Sequence, residues 1–173
     1  SPLAIGTDRV FMTNQYNADS VMIRLTNSGG KFTAEEVFRF AVSKWNAEVH
    51  TPILVGEHMY AVGKKKRGQL TCLDLDGNII WASETPDGKP RHFGLGSFLL
   101  ADGMFFVLDG DSGELRLVEV NSKEYKELAS AQVLDGHDVW GPMALSGGRL
   151  LLRDTGKMVC IEVGPLKEAP TGD

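Results

Sequence analysis

Four times along this chain an apolar run, a short polar turn and a second apolar run follow one another, starting at Pro2, Pro52, Ser97 and Pro142, so one unit recurs at spacings of 50, 45 and 45 residues. The first runs are Leu3 to Ile5, Ile53 to Val55, Phe98 to Leu100 and Met143 to Leu145. A unit of this length made of short strands cannot bury both faces of its own small sheet, so a neighbour must stack on each side. The pattern therefore predicts an all-β fold, a β-propeller of four-stranded antiparallel blades with about four blades in this chain.

Residues 1–46, 47–91, 92–136 and 137–165 form the four units, and 166–173 a polar tail. In the second unit, strands are expected from Ile53 to Val55, Met59 to Val62, Leu70 to Leu75 and Ile79 to Ala82, with a hairpin turn at Asp76-Gly77-Asn78. The third unit places them at Phe98 to Ala101, Met104 to Leu108, Leu115 to Val120 and Glu127 to Gln132. The first unit carries five extra residues around Ser28 to Ala34, and the repeat phase favours a strand from Glu36 to Val42 over a helix capped by Thr33 and Glu36. The fourth shows three strands, Met143 to Leu145, Arg149 to Arg153 and Met158 to Val163, and no outer one. A closed propeller leaves no such edge exposed. The expectation is thus the C-terminal half of a ring of seven or eight blades, the alternatives being four blades closing alone or two chains sharing an eight-bladed ring.

Composition narrows the partners. A net charge of -5 and an acidic pI of 5.4 are the opposite of the concentrated basic field that nucleic acid selects. No uncharged apolar run approaches the roughly 18 residues of a membrane-spanning helix. Lys64 to Arg67 is a basic cluster at a hairpin position, expected to be a solvated loop. Cys72 and Cys160 occupy one column of the repeat, where Met22 and Leu117 stand in the other units. Blades two apart do not touch, so two free, buried thiols are expected. Gly110-Asp111-Ser112-Gly113 matches a serine-protease nucleophile motif in letters alone, and Asp109, Asp111 and Glu114 lack calcium-loop spacing; both are expected to be one hairpin turn. No catalytic residue and no metal ligand is assigned.

The segments feeding each first strand carry the candidate binding residues. His92 and His137 lie five residues before Ser97 and Pro142, while His50 and Trp140 lie two before their own starts. Such connections gather on one face of the disc near its axis, where a histidine can donate, accept or ligate. His50, His92, His137, Asp138, Trp140, Arg91 and Trp45 are therefore the expected rim.

At Leu73-Asp-Leu-Asp-Gly-Asn-Ile-Ile-Trp81 the chain resembles the PQQ-like repeat of quinoprotein alcohol dehydrogenase-like propellers, in which the Trp docks each blade on the next. Phe38 takes that place in the first unit and Leu128 in the third. Phe93-Gly-Leu-Gly-Ser-Phe98 and Gly136-His-Asp-Val-Trp-Gly-Pro142 are similar to segments of bacterial repeat proteins of this family with unassigned activity. The resemblance implies a periplasmic or extracellular protein. It covers dehydrogenases that hold pyrroloquinoline quinone and calcium on the axis of an eight-bladed ring, and members that only bind proteins. The dehydrogenases often set adjacent cysteines against the quinone, whereas Cys72 and Cys160 are far apart in this chain. The expected function is a non-catalytic module binding a protein or small-molecule ligand at its loop rim, with no cofactor. The alternatives are half of a quinone- and calcium-dependent alcohol or sugar dehydrogenase, or a purely structural repeat segment. The remaining blades of the same protein, or a second copy, are the expected structural partners.

Overall fold

The computed structural model describes residues 1–14, 18–47, 49–63 and 68–164. The basic cluster at 64–67, Pro165 and the tail at 166–173 lie outside the described residues. Among the described residues there are fifteen strands and no helix. Blade 1 contains β1 (Leu3–Ile5), β2 (Arg9–Met12), β3 (Ser20–Ser28) and β4 (Lys31–Phe40). Blade 2 contains β5 (Ile53–Val55), β6 (His58–Gly63), β7 (Gln69–Asp74) and β8 (Ile79–Ala82). Blade 3 contains β9 (Phe98–Ala101), β10 (Met104–Leu108), β11 (Glu114–Glu119) and β12 (Glu127–Gln132). Blade 4 contains β13 (Ala144–Ser146), β14 (Arg149–Arg153) and β15 (Met158–Glu162). Every sheet is an antiparallel meander in chain order, as short apolar runs joined by tight turns require.

Strand alternation gives each blade a forward face toward its successor and a rear face toward its predecessor. Cross-strand pairing builds the forward rows Leu3–Phe11–Met22–Phe38 in blade 1, Ile53–Tyr60–Cys72–Trp81 in blade 2 and Leu99–Phe106–Leu117–Ala129 in blade 3. These rows close three cores. Phe11, Met22 and Phe40 pack with Met59, Ala61 and Leu73 across the first seam; Tyr60, Val62 and Cys72 with Phe105, Val107 and Val118 across the second; Phe106, Leu108 and Leu115 with Leu150 and Leu152 across the third. A fully buried side chain of this size contributes about 1.5–3 kcal/mol. A lone four-stranded sheet has no such partner, so the stacking carries the fold.

The structure departs from the sequence expectation in three places. The extra residues of the first unit lengthen a hairpin: β3 and β4 pair all the way to Ser28 and Lys31, and β4 ends at Phe40 instead of Val42. Cys72 is buried as expected, but Cys160 is exposed. Both lie on a forward row, and burial there comes from the following blade, which Cys160 does not have among the described residues. The docking column of the third unit is offset by one. A bulge between the third and fourth strands recurs at Met22/Ile23, Cys72/Leu73 and Leu117/Val118, leaving Val37, Ile80 and Leu128 as its extra residues. Phe38, Trp81 and Ala129 therefore share the docking column, and Leu128, 44 % exposed, does not.

Candidate functional site

The three straps between blades receive the seven rim candidates, and they do not bring them together. Trp45 belongs to the first core. Its indole is fully buried against Phe11 and Phe40, with ring centroids at 5.9 and 5.2 Å, and its Nε1 donates to Thr71 Oγ1 at 3.1 Å. A large ring whose single donor is satisfied inside a core has nothing left to offer a ligand. His50 leaves the strap between blades 1 and 2 and reaches the next strap, where its Nε2 donates to the Leu95 carbonyl at 3.2 Å; its ring stands edge-on to Phe98. Burial lowers its pKa below the usual histidine value, so the ring is neutral at pH 7.

Equal counts to the next blade do not give equal surroundings. Nδ1 of His92 is buried without a hydrogen bond, and the neighbouring Phe93 plugs the second core. His137 is exposed and pairs through Nδ1 with Asp138 Oδ2 at 2.9 Å. Asp138 adopts φ 59, and Val139 plugs the third core while Trp140 stays 46 % exposed. His137, Asp138 and Trp140 thus form one surface group, the part of the expected rim that faces solvent.

Arg91 belongs elsewhere. Glu84 and Pro90 bridge, and the Arg91 amide donates to the Ser83 carbonyl, so the segment after β8 folds outward before crossing the disc. That keeps Arg91 at the outer margin, where its Nε faces Glu127 Oε2 at 3.6 Å. Here a groove of about 970 Å³ opens between β8 and β12, walled by Ile80, Trp81, Arg91, Tyr125 and Glu127. Glu127 is its electrostatic centre. It accepts from Arg116 Nη1 at 2.6 Å and from the Tyr125 hydroxyl at 3.0 Å, and Arg116, only 7 % exposed, also pairs with Glu114. Burial, then the Glu127 charge, raises the Tyr125 phenol above its ordinary pKa, so it stays a donor at any physiological pH. Trp81 fills the seam beneath: its Nε1 donates to the Asn121 carbonyl of the next blade at 3.0 Å, and its ring lies 6.0 Å from both Tyr60 and Tyr125.

The sequence held a signal for this site. Arg116 sits between Leu115 and Leu117 in a phase that points it at the neighbouring blade, opposite Val107. An arginine in such a position demands a partner. Its partner, Glu127, opens the outer strand, and only the fold shows that Arg91 and Tyr125 converge on the same carboxylate. The Asp109 to Gly113 segment is a turn, as expected: Asp109 Oδ1 accepts from the amides of Asp111 and Ser112.

Among the described residues no three His, Cys, Asp or Glu side chains converge as a metal ion would require, and the two cysteines lie on separate blades.

No protein-family model matches the chain, and no curated protein matches it. Among solved structures it is similar to a europium-containing methanol dehydrogenase, at 14 % identity and a TM-score of 0.50 over 75 % of this chain. The match spans about a quarter of that structure, 24 % of its length. At this identity the likeness is one of fold, and it agrees with an all-β chain whose antiparallel sheets stack as successive propeller blades.

Proposed function

We propose that this chain is a non-catalytic PQQ-like propeller module that binds another protein through an extended segment lying in the groove between β8 and β12. One observation carries the reading: two outer strands, each with one backbone edge unpaired among the described residues, flank a groove whose charged side chains are already held by one another. A strand edge offers alternating donors and acceptors to an extended peptide, and fixed side chains lower the cost of ordering on binding. Ile80 and Leu128, the exposed bulge residues of the two walls, offer apolar footholds at the groove. The exposed group of His137, Asp138 and Trp140 is a second contact on the strap face.

The three tryptophans make the test direct, because they report the core (Trp45), the groove (Trp81) and the rim (Trp140) separately. The indole N–H resonances of labelled protein are followed during titration with a library of short unstructured peptides and with a small-molecule fragment library. Peptides are expected to move the Trp81 signal and leave Trp45 in place. Shifts confined to Trp140 would move the site to the rim, and reduction of a dye by methanol or a sugar after loading with pyrroloquinoline quinone and calcium would overturn the non-catalytic reading.

A further inference from the structure

The two walls of the groove differ in how much free strand edge they offer. Beyond Ala82 the chain turns back on itself: Glu84 bridges Pro90, the Thr85 amide donates to the Lys89 carbonyl at 2.7 Å and the Arg91 amide to the Ser83 carbonyl at 2.9 Å. That return covers the continuation of β8, which keeps a free edge of 4 residues, whereas the free edge of β12 runs for 6, from Glu127 to Gln132. Leu128, Ala129 and Ser130 of β12 line the groove and carry neither charge nor proline, so this edge lacks the devices by which an outer strand refuses a further partner.

Arg91 stands on the opposite wall with its donors unused. Its side chain is only 24 % exposed, yet its buried Nε has no hydrogen-bond partner and neither Nη donates to any described residue. The 3.6 Å approach of Nε to Glu127 Oε2 is one of charge and is too long for a hydrogen bond. Glu127 is engaged elsewhere, because its two oxygens accept from Arg116 and Tyr125, and Arg116 is balanced in turn by Glu114. The other charges along the groove, Glu84, Glu124, Lys123 and Lys126, are exposed and equal in number, so the part-buried Arg91 sets its preference. A guanidinium anchored on one side with both Nη groups free is shaped to take a carboxylate through two parallel N–H donors.

We propose that the segment received by the groove is acidic: it pairs with the free edge of β12 and sets a carboxylate, from an Asp or Glu side chain or from a chain end, on the two Nη groups of Arg91. An added strand turns every second side chain toward the neighbouring blade, and Arg91 lies beside Glu127, where β12 begins, so a position near that end of the segment meets it. This inference rests on the groove reading and adds to it the chemistry of the partner.

Three sets of short unstructured peptides test it, with the Trp81 indole N–H as the reporter. The first is blocked at both ends and carries one Glu as its single charge, the second replaces that Glu by Gln, and the third is the Gln set with its C-terminus left free. The Glu set is expected to bind about tenfold more tightly than the blocked Gln set, an advantage that shrinks as salt is added. Arg91→Gln should abolish the advantage while the Trp45 signal stays in place, and Arg91→Lys, which keeps the charge without the paired donors, should retain only part of it. Bound peptide should slow hydrogen exchange at amides of β12 and leave those of β8 unchanged. A preference for the third set alone would place the carboxylate at a chain end. Equal binding of all three sets, a Glu preference that survives Arg91→Gln, or protection of β8 in place of β12 would overturn this inference and leave the groove reading standing, whereas a Trp81 signal that no set moves would overturn both.

Discussion

The second and third seams join blades of nearly the same strand pattern, yet they are closed differently. Across the second, Tyr60, Phe98, Phe105, Trp81 and Tyr125 form a continuous aromatic layer, and the Trp81 indole pins the outer strand of blade 2 to the turn of blade 3. Across the third the layer is aliphatic apart from Phe106, Ala129 occupies the docking column, and the strap side chains Leu134 and Val139 fill the gap. Both seams are plugged from their straps, by Phe93 in the second and by Leu134 and Val139 in the third, and the second is sealed from the outer strand as well. The groove lies where the outer strand does the sealing, because the aromatic rings that lock the two blades together also form its floor.

The straps make the sharpest contrast. A methyl group at Gly96 would lie 1.7 Å from the Leu108 carbonyl oxygen and close to the Gly110 amide, so it meets backbone that is held against the strap by the Leu108 amide on the Ser97 carbonyl and the Gly110 amide on the Phe93 carbonyl. At Gly136, in the strap of the third seam, the obstacle is the Asp154 carboxylate at 2.4 Å, a side chain that can swing away at the expense of its hydrogen bonds to the amides of Gly156 and Lys157. Gly96→Ala is expected to lose about 3 kcal/mol or more, or to prevent folding, and Gly136→Ala about 1 kcal/mol, measured by urea unfolding. Equal losses would mean that the two straps carry the same load, and the contrast between the seams would fall.

Trp81→Ala comes next in size. The side chain is partly buried and donates one hydrogen bond, so its removal should lower stability by about 3 kcal/mol. Ala129→Ser in the equivalent column should stay within about 0.5 kcal/mol, because nothing is docked there. If Trp81→Ala is as mild as Ala129→Ser, the aromatic layer is ornament and the straps alone hold the blades together.

The blades were legible from the residues because the unit recurs: the strands from Phe98 to Ala101, Glu127 to Gln132 and Arg149 to Arg153 fall on the expected bounds. What recurrence could not carry was anything set by a neighbour. Leu128 and Ala129 differ by one place in sequence, and only the bulge opposite Leu117 and Val118 decides which of them faces the seam. Cys160 follows the column of Cys72 faithfully, and its exposure is decided by what stacks on blade 4. The groove escaped notice for the same reason, since Arg91, Arg116 and the Tyr125–Glu127 pair come from three separate segments of two units, and Arg91 reaches the other three only when the second seam closes.

The smallest expected effect concerns acid, and it too should separate the seams. His50 bridges two straps at the edge of the second seam, through the Leu95 carbonyl and the Phe98 ring, and no histidine makes a comparable contact across the third among the described residues. Burial depresses its pKa in the folded protein, so between that lowered value and the unfolded value of about 6.5 the unfolded chain binds the proton and the folded chain does not. Its contribution is therefore complete above about pH 6.5 and is lost as the pH falls toward the folded value. The urea midpoint of the wild type should drop further between pH 7.5 and pH 5.5 than that of His50→Gln, whose amide can still donate to Leu95 but does not titrate. Parallel pH profiles for the two proteins would show that the ring is not held neutral between the straps, and the second seam would then be no more acid-sensitive than the third.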